Sequence, residues 1–298
     1  MKIHLPDAVG ACIEAIAGYF DAADLFYGHG TDSAGMEAQW LVTAVLTHDG
    51  VAGITANTPV SPGQRSRIAS LAMQRINGRS PLAYLLQEAW FAGHCFYVDE
   101  RVLVPRSPIA ELVANHFQPL LEEAPAQILD LCCGSGCIGI ACALAFPDSN
   151  VVLADLSADA LAVAQVNIER FGLADRVSTC RSDLYDSISG AFDLVVCNPP
   201  YVPEDEFREL PPEYHREPAM GLVSEQSGLA IPLKVLAETG RHLHDQGLLV
   251  LETGYTWPAL DAALPDVPLL WLEFEHGGEG VCALTAQQLR RYFPSQGQ

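Results

Sequence analysis

Apolar residues recur at steps of three and four between positions 7 and 27 and again over 36–46, a spacing that predicts two amphipathic helices. Ser61-Pro62 offers an N-cap and a first-turn proline for a third such run, which Asn77-Gly78 closes. Residues 1–87 are therefore expected to form a helical N-terminal domain. Over 88–106 the pattern changes. Trp90 and Phe91, then Phe96, Val98, Val102 and Val104, alternate with polar positions around Gly93, which predicts a hairpin linker. Ser107-Pro108 then opens a helix expected to run to about Phe117.

From Gln127 short apolar runs (128–132, 151–154, 192–197 and 248–251) alternate with helical stretches such as 158–171 and 230–242. This alternation predicts an α/β domain over 107–298, with a mostly parallel sheet covered on both faces. The last two apolar runs, 269–274 and 281–284, are joined by His276-Gly277-Gly278-Glu279-Gly280 and predict an antiparallel C-terminal hairpin.

A length of 298 residues suits one large and one smaller domain, since single cores stop growing near ~250–300 residues. With 49% hydrophobic and 18% charged residues the chain has the balance of a folded globular protein, and no apolar run reaches the roughly 18 residues that would span a bilayer. Lys2 is the one positive charge of the first ten residues and no apolar run follows it, so a cytoplasmic protein without membrane attachment is expected. Cys132, Cys133, Cys137 and Cys142 crowd one stretch without the spacing of a zinc site or redox pair, and they are expected to be reduced packing residues with no metal. The formal charge is -21, from 37 acidic against 16 basic side chains. That field opposes phosphate backbones, so a basic protein is the better partner and direct nucleic-acid binding is not expected; acidity also serves solubility alone.

Asp130-Leu131-Cys132-Cys133-Gly134-Ser135-Gly136-Cys137-Ile138-Gly139 follows a predicted strand and opens a predicted helix. The three glycines satisfy the dinucleotide fingerprint, and Asp155 ends the next strand, where a carboxylate accepts from ribose hydroxyls. Both features fit any nucleotide-like cofactor. Asp130 helps to discriminate, because a carboxylate ahead of the turn repels a pyrophosphate but suits the ammonium group of S-adenosyl-L-methionine. Asp183, after the third strand, is placed to accept from an adenine amino group, with Leu184 against the ring.

Asn198-Pro199-Pro200-Tyr201 stands at the carboxyl end of the buried run 192–197, where open α/β sheets bind ligands. A planar amide or aromatic amine nitrogen is a poor nucleophile, because its lone pair is delocalised. The Asn198 side-chain oxygen and the Pro199 carbonyl can each accept one of its N–H bonds, and Tyr201 can pack on its flat face, while the prolines keep the acceptors rigid.

On these motifs the chain resembles the glutamine amide methyltransferases that act on proteins of translation. Asn198-Pro199-Pro200-Tyr201 is shared with enzymes that methylate adenine in DNA, so it identifies the type of acceptor nitrogen only. Val102-Leu103-Val104-Pro105-Arg106-Ser107-Pro108 is similar to the linker of the branch acting on large-subunit ribosomal protein L-three, as are Trp90-Phe91-Ala92-Gly93-His94, Tyr27-Gly28-His29-Gly30-Thr31-Asp32 and the segment from Trp271 to Val281. The branch acting on release factors usually has a different linker.

The resemblance implies a class I Rossmann-like methyltransferase domain and transfer of a methyl group from S-adenosyl-L-methionine to a glutamine side-chain amide. S-adenosyl-L-homocysteine is the implied product. It places Cys132, Cys133, Gly134, Ser135, Gly136, Asp155 and Leu184 at the cofactor, with Asp130, Asp183 and Asn198, and gives Asn198, Pro199, Pro200 and Tyr201 to the target glutamine. Cys132-Cys133 departs from the family pattern, which usually has a threonine there, and removes a hydroxyl. Finally, Glu204, Asp205, Glu206, Glu209, Glu213 and Glu217, against Arg208 and Arg216, predict an acidic rim suited to a basic ribosomal protein that is free or in early assembly.

Overall fold

The structure, a computed structural model, describes residues 3–294. Lys2, on which the leader reading rests, and the outermost ends of both expected domains lie outside the described residues. The chain divides into two compact units. One comprises the residues up to Ala89 with Val98–Glu100 and Leu210–Glu217; the other comprises Trp90–Tyr97, Arg101–Glu209 and the chain from Pro218 onward.

The first unit is helical: α1 (Val9–Ala22), α2 (Ala34–His48), α3 (Pro62–Gly78) and the short α4 (Leu82–Leu86). Helix α1 buries Val9, Cys12, Ile16 and Phe20, a stripe at the spacing of one helical face. Helix α3 starts on a capping box in which Ser61 and Gln64 satisfy each other's backbone, and ends where Arg79 takes a left-handed conformation. The sequence pattern gives no sign that Leu210–Glu217 belongs to this unit. The reason is a buried ionic cluster. Arg75, 1% exposed, donates to Glu37 at 2.5 Å, to Glu213 at 3.0 Å and to the Phe26 carbonyl at 2.8 Å. His29 lies 3.4 Å from Glu217, and the Tyr214 ring packs against Phe26 and His29.

A two-stranded hairpin, β1 (Ala89–Phe91) and β2 (His94–Phe96), follows. Its strands are shorter than the alternation over 88–104 suggested: Val98, Val102 and Val104 are buried without joining a ladder. Alternation reports burial, and burial does not require strand pairing. Helix α5 (Ile109–Ala114) likewise ends before Phe117, where His116 and Phe117 both adopt positive φ.

The second unit continues with β3 (Gln127–Leu131), α6 (Cys137–Ala145), β4 (Asn150–Asp155), α7 (Ala158–Arg170), β5 (Val177–Arg181), β6 (Phe192–Cys197), α8 (Glu204–Glu209), α9 (Ala230–Thr239), β7 (Leu243–Glu252), α10 (Trp257–Ala263), β8 (Leu270–Trp271), β9 (Val281–Thr285) and α11 (Ala286–Tyr292). The sheet order is β5-β4-β3-β6-β7-β9-β8, parallel from β5 to β7, with β9 antiparallel to both β7 and β8. It is the expected mostly parallel sheet with an antiparallel end, although β8 keeps only two residues of the run 269–274.

Alternate residues of the central strands serve the two cores. Ile128, Leu194, Val196 and Val250 face one, and Leu129, Leu131, Val195 and Leu251 face the other. Strand order reverses between β3 and β6, so the crevice at their carboxyl ends is the topological switch point where such sheets bind ligands.

Candidate active site

Leu131 pairs with both Ala154 and Cys197, so β3, β4 and β6 end level with one another. The glycine turn after β3 and Asn198-Pro199-Pro200-Tyr201 after β6 therefore flank the switch point. Asp155 closes β4, and Asp183 follows the end of β5.

The turn carries backbone strain. Cys132 has φ +61° without being glycine, and Leu184, beyond β5, has φ +48°. Both are conformations that side chains rarely adopt and that cluster at functional sites. Gly134 has φ +54°, and a Cβ there would meet nothing within 4 Å, which leaves the face of the turn open. Gly139 works differently. A Cβ there would fall 2.3 Å from Leu153 Cδ2 and 2.8 Å from Asp130 Cβ, so glycine lets α6 settle onto the sheet. Cys133 and Ser135 are buried. Asn167 on α7 donates to the Ser135 carbonyl at 2.9 Å and braces the turn.

Asp130 lies beneath the turn, 1% exposed, and its Oδ2 accepts the Gly139 N–H at 2.7 Å. Its Oδ1 is buried without a hydrogen-bond partner. Burial pushes its pKa up to about 7, against the opposing pull of the Gly139 contact. Its charge is thus held beneath the turn, partly offset by the Gly139 N–H. Asp155 accepts Gly134 N–H at 2.9 Å on one oxygen and Ser157 N–H at 2.8 Å on the other, and burial raises its pKa. Each oxygen keeps a second lone pair for a ligand hydroxyl. Asp183 is exposed, whereas Leu184 is buried at 9% exposure.

At the end of β6 Asn198 is half-buried, and its side chain makes no hydrogen bond among the described residues. Pro199 is buried, and Pro200 and Tyr201 are half-buried. The Tyr201 ring is fixed on several sides. Its hydroxyl donates to Glu252 at 3.4 Å, its edge meets Tyr255 at 6.2 Å, and a Cβ at Gly254 would fall 2.7 Å from its carbons. Gly228 approaches the Tyr201 carbonyl so closely that a Cβ would lie 2.1 Å from it. A Cβ at Gly280, in the loop before β9, would likewise fall on the Gly254 carbonyl oxygen, and this close approach carries the terminal glycine cluster into the site.

Glu252, at the carboxyl end of β7, is the main residue that the sequence reading passed over. It is 4% exposed and accepts the Ser107 hydroxyl as well as that of Tyr201. The available signal was a carboxylate ending the buried run 248–251, as Asp155 ends β4. Ser107, read from sequence as a helix cap, does accept the Ile109 N–H at 3.1 Å but also donates to Glu252.

The acidic segment divides. Glu204, Asp205, Glu206 and Glu209 are exposed on α8, but Glu213 and Glu217 are buried in the helical unit. They are structural, and this corrects their assignment to an acidic rim. Among the described residues no group of three or more His, Cys, Asp or Glu is arranged to hold a metal ion. All nine cysteines are free thiols. No helix among the described residues is long and apolar enough to cross a membrane.

Residues 110–209 match the family model described as "Methyltransferase small domain". The chain is 42% identical over 276 residues to the ribosomal protein uL3 glutamine methyltransferase of Francisella tularensis subsp. tularensis, covering 91% of this chain and 88% of that protein. It is 40% identical to the protein of the same name from Bordetella pertussis, covering 90% and 92%. In fold it resembles the catalytic domain of hMettl16 solved with a MAT2A 3'UTR hairpin, with a TM-score of 0.51 and 14% identity over 86% of this chain and 92% of that one.

Proposed function

Since the chain belongs to the family of ribosomal protein uL3 glutamine methyltransferases, we propose that it transfers a methyl group to the side-chain amide nitrogen of a glutamine in uL3, the large-subunit protein L-three. One observation carries the chemistry: the Asn198 amide stands without a hydrogen bond among the described residues at the end of β6, across the switch point from the glycine turn. When bound, S-adenosyl-L-methionine supplies an electrophilic methyl on a cationic sulfur. The residues present fit that group. Asp130 has an unpartnered buried oxygen, which a cationic ligand can satisfy directly or through water, and the turn is open at Gly134. Asp130, Cys132 to Gly136, Asp155, Asp183 and Leu184 would hold it.

The chain's own residues then handle the acceptor. Asn198 Oδ1 and the Pro199 carbonyl accept the two amide N–H bonds of the glutamine, and Tyr201 packs on its flat face. This orients a weak lone pair and disfavours other approaches, which is the main contribution open to a protein when the leaving thioether is neutral. The nitrogen takes the methyl as the carbon–sulfur bond breaks, becomes cationic and strongly acidic, and passes one proton to water, so no strongly basic side chain has to act during the transfer.

Two results test this reading. S-adenosyl-L-methionine at 100 times its dissociation constant should stabilise the protein by about 2.7 kcal/mol in a thermal melt, whereas NAD should have no effect. Stabilisation by NAD alone would point to a dinucleotide enzyme. In the second, purified unmethylated uL3, assembled unmethylated large subunits and release factors are offered at equal concentration. Free uL3 should gain the mass of one methyl group on a glutamine fastest. Its rate should fall with added salt, because the exposed carboxylates of α8 attract a basic protein through a field that salt screens. Preferential methylation of a release factor would reassign the substrate, and a faster reaction on assembled subunits would reverse the proposed timing.

A further inference from the structure

Methyl transfer to the glutamine amide held by Asn198, as proposed above, depends on a flat ring being correctly placed, and Tyr201 is oriented by a buried carboxylate that takes no direct part in that scheme. Glu252 ends β7 beside the end of β6 and lies between two hydroxyls from distant parts of the chain: Ser107, where the linker enters the domain, and Tyr201. We infer that Glu252 is a positioning residue for the reaction, whose ionised carboxylate accepts from both Ser107 and Tyr201 and so locks the Tyr201 ring in the orientation that receives the substrate amide.

The physical argument concerns donors and acceptors. An ionised carboxylate only accepts, so both hydroxyls must point their protons at it, and each side chain loses its freedom to rotate. A protonated carboxyl must itself donate, which reverses one of the two contacts. The charged groups around Glu252 are few. The Arg106 guanidinium on the linker favours the ionised form; Cys197 and Tyr201 lie on the β6 side; and the β9 residue paired with it is Val281. Burial outweighs the hydroxyls and Arg106 and pushes the Glu252 pKa up to about 7. The clasp is therefore intact above that pH and opens as pH falls through it. Gly254 removes the remaining freedom, because the ring lies where any side chain at that position would be.

The experiment measures kcat and KM for purified unmethylated uL3 across pH 5.5–9 (about the range that brackets a group near neutrality) for wild type, Glu252→Gln, Tyr201→Phe and the double variant. Wild-type kcat should fall on the acid side with a midpoint near the Glu252 pKa. Glu252→Gln should lower kcat at the plateau by about 10- to 100-fold, the loss expected for a hydrogen bond to a charged group, leave cofactor affinity unchanged and abolish the acid limb. Tyr201→Phe should abolish the same limb, and the double variant should be no worse than the poorer single variant within a few-fold. An acid limb that survives in Glu252→Gln, or losses that multiply in the double variant, would overturn the inference. If Glu252→Gln does not fold, Tyr201→Phe decides alone, since it leaves the carboxylate in place: a retained limb is the contrary result. A wild-type protein that methylates no uL3 would sink the functional reading itself, whereas an active wild type with an indifferent Glu252→Gln sinks only the role of Glu252.

Discussion

Replacement of Asn198 by alanine is expected to slow methyl transfer about 100-fold or more while leaving S-adenosyl-L-methionine affinity within a few-fold of wild type, the pattern for loss of a preorganised polar contact to the reacting group. Asn198 is half-buried and its side chain is unengaged among the described residues, so the substitution removes no internal hydrogen bond. Its neighbours hold the backbone independently: Pro199 is buried, Val202 N–H donates to the Leu222 carbonyl at 2.8 Å, and Ser224 N–H donates to the Val202 carbonyl at 2.9 Å. Thermal stability should therefore change little. Single-turnover rates at saturating cofactor, with cofactor dissociation constants measured in parallel, separate the two effects. Turnover within a few-fold of wild type would reduce Asn198 to a turn residue. A loss seen only in cofactor affinity would move it from the acceptor side of the site to the donor side.

The parts of this site that were legible in the sequence are those whose chemistry is local. Cys132 to Gly136, Asp155 and Asn198 to Tyr201 each sit at or just after the end of a buried apolar run, Asp183 follows the more polar edge strand β5, and a parallel sheet brings the ends of its strands together. What stayed hidden depends on distant partners. Glu252 acquires its meaning only through Ser107, 145 positions earlier in the chain. Asp130 was visible as a carboxylate before the turn, but not as one that is buried and accepts the Gly139 N–H of α6. Nothing in the sequence singles out the glycines at 228 and 254, Gly280 reads as part of a hairpin connection, and only the folded chain reveals that each makes room for an opposing backbone or ring. The acidic stretch after Tyr201 shows the same limit. Composition groups Glu213 with Glu206, yet one is 0% exposed in an ion pair and the other faces solvent.

Arg75→Ala should destabilise the helical unit by about 3–5 kcal/mol, the usual penalty for removing one partner from a buried ion pair. The guanidinium is 1% exposed and serves Glu37, Glu213 and the Phe26 carbonyl at once. Arg79 compensates little, because its contact with Glu213 is long, at 3.4 Å, and its side chain is partly in solvent. An apolar replacement of the whole cluster, Arg75→Met with Glu37→Leu and Glu213→Leu, should recover much of the loss, since it leaves no buried charge without a partner. The pH dependence provides a second check. Burial by itself raises the Glu213 carboxyl, but the Arg75 guanidinium more than reverses this and holds it below the ordinary carboxylate range. Stability from this pair is thus fully present above the unfolded carboxylate pKa and is lost as pH falls through the lower folded value. In Arg75→Ala the same carboxyl keeps the Phe26 N–H and the long Arg79 contact to oppose burial, takes up its proton at higher pH than in the wild type and becomes neutral. The gap between wild type and variant, read from urea unfolding of the full chain at a series of pH values, should accordingly be widest near neutrality and narrow towards acid. A gap that widens in acid, or a loss below about 1 kcal/mol at neutral pH, would mean that Leu210–Glu217 is held in the helical unit by packing of Tyr214 on Phe26 and His29 rather than by charge.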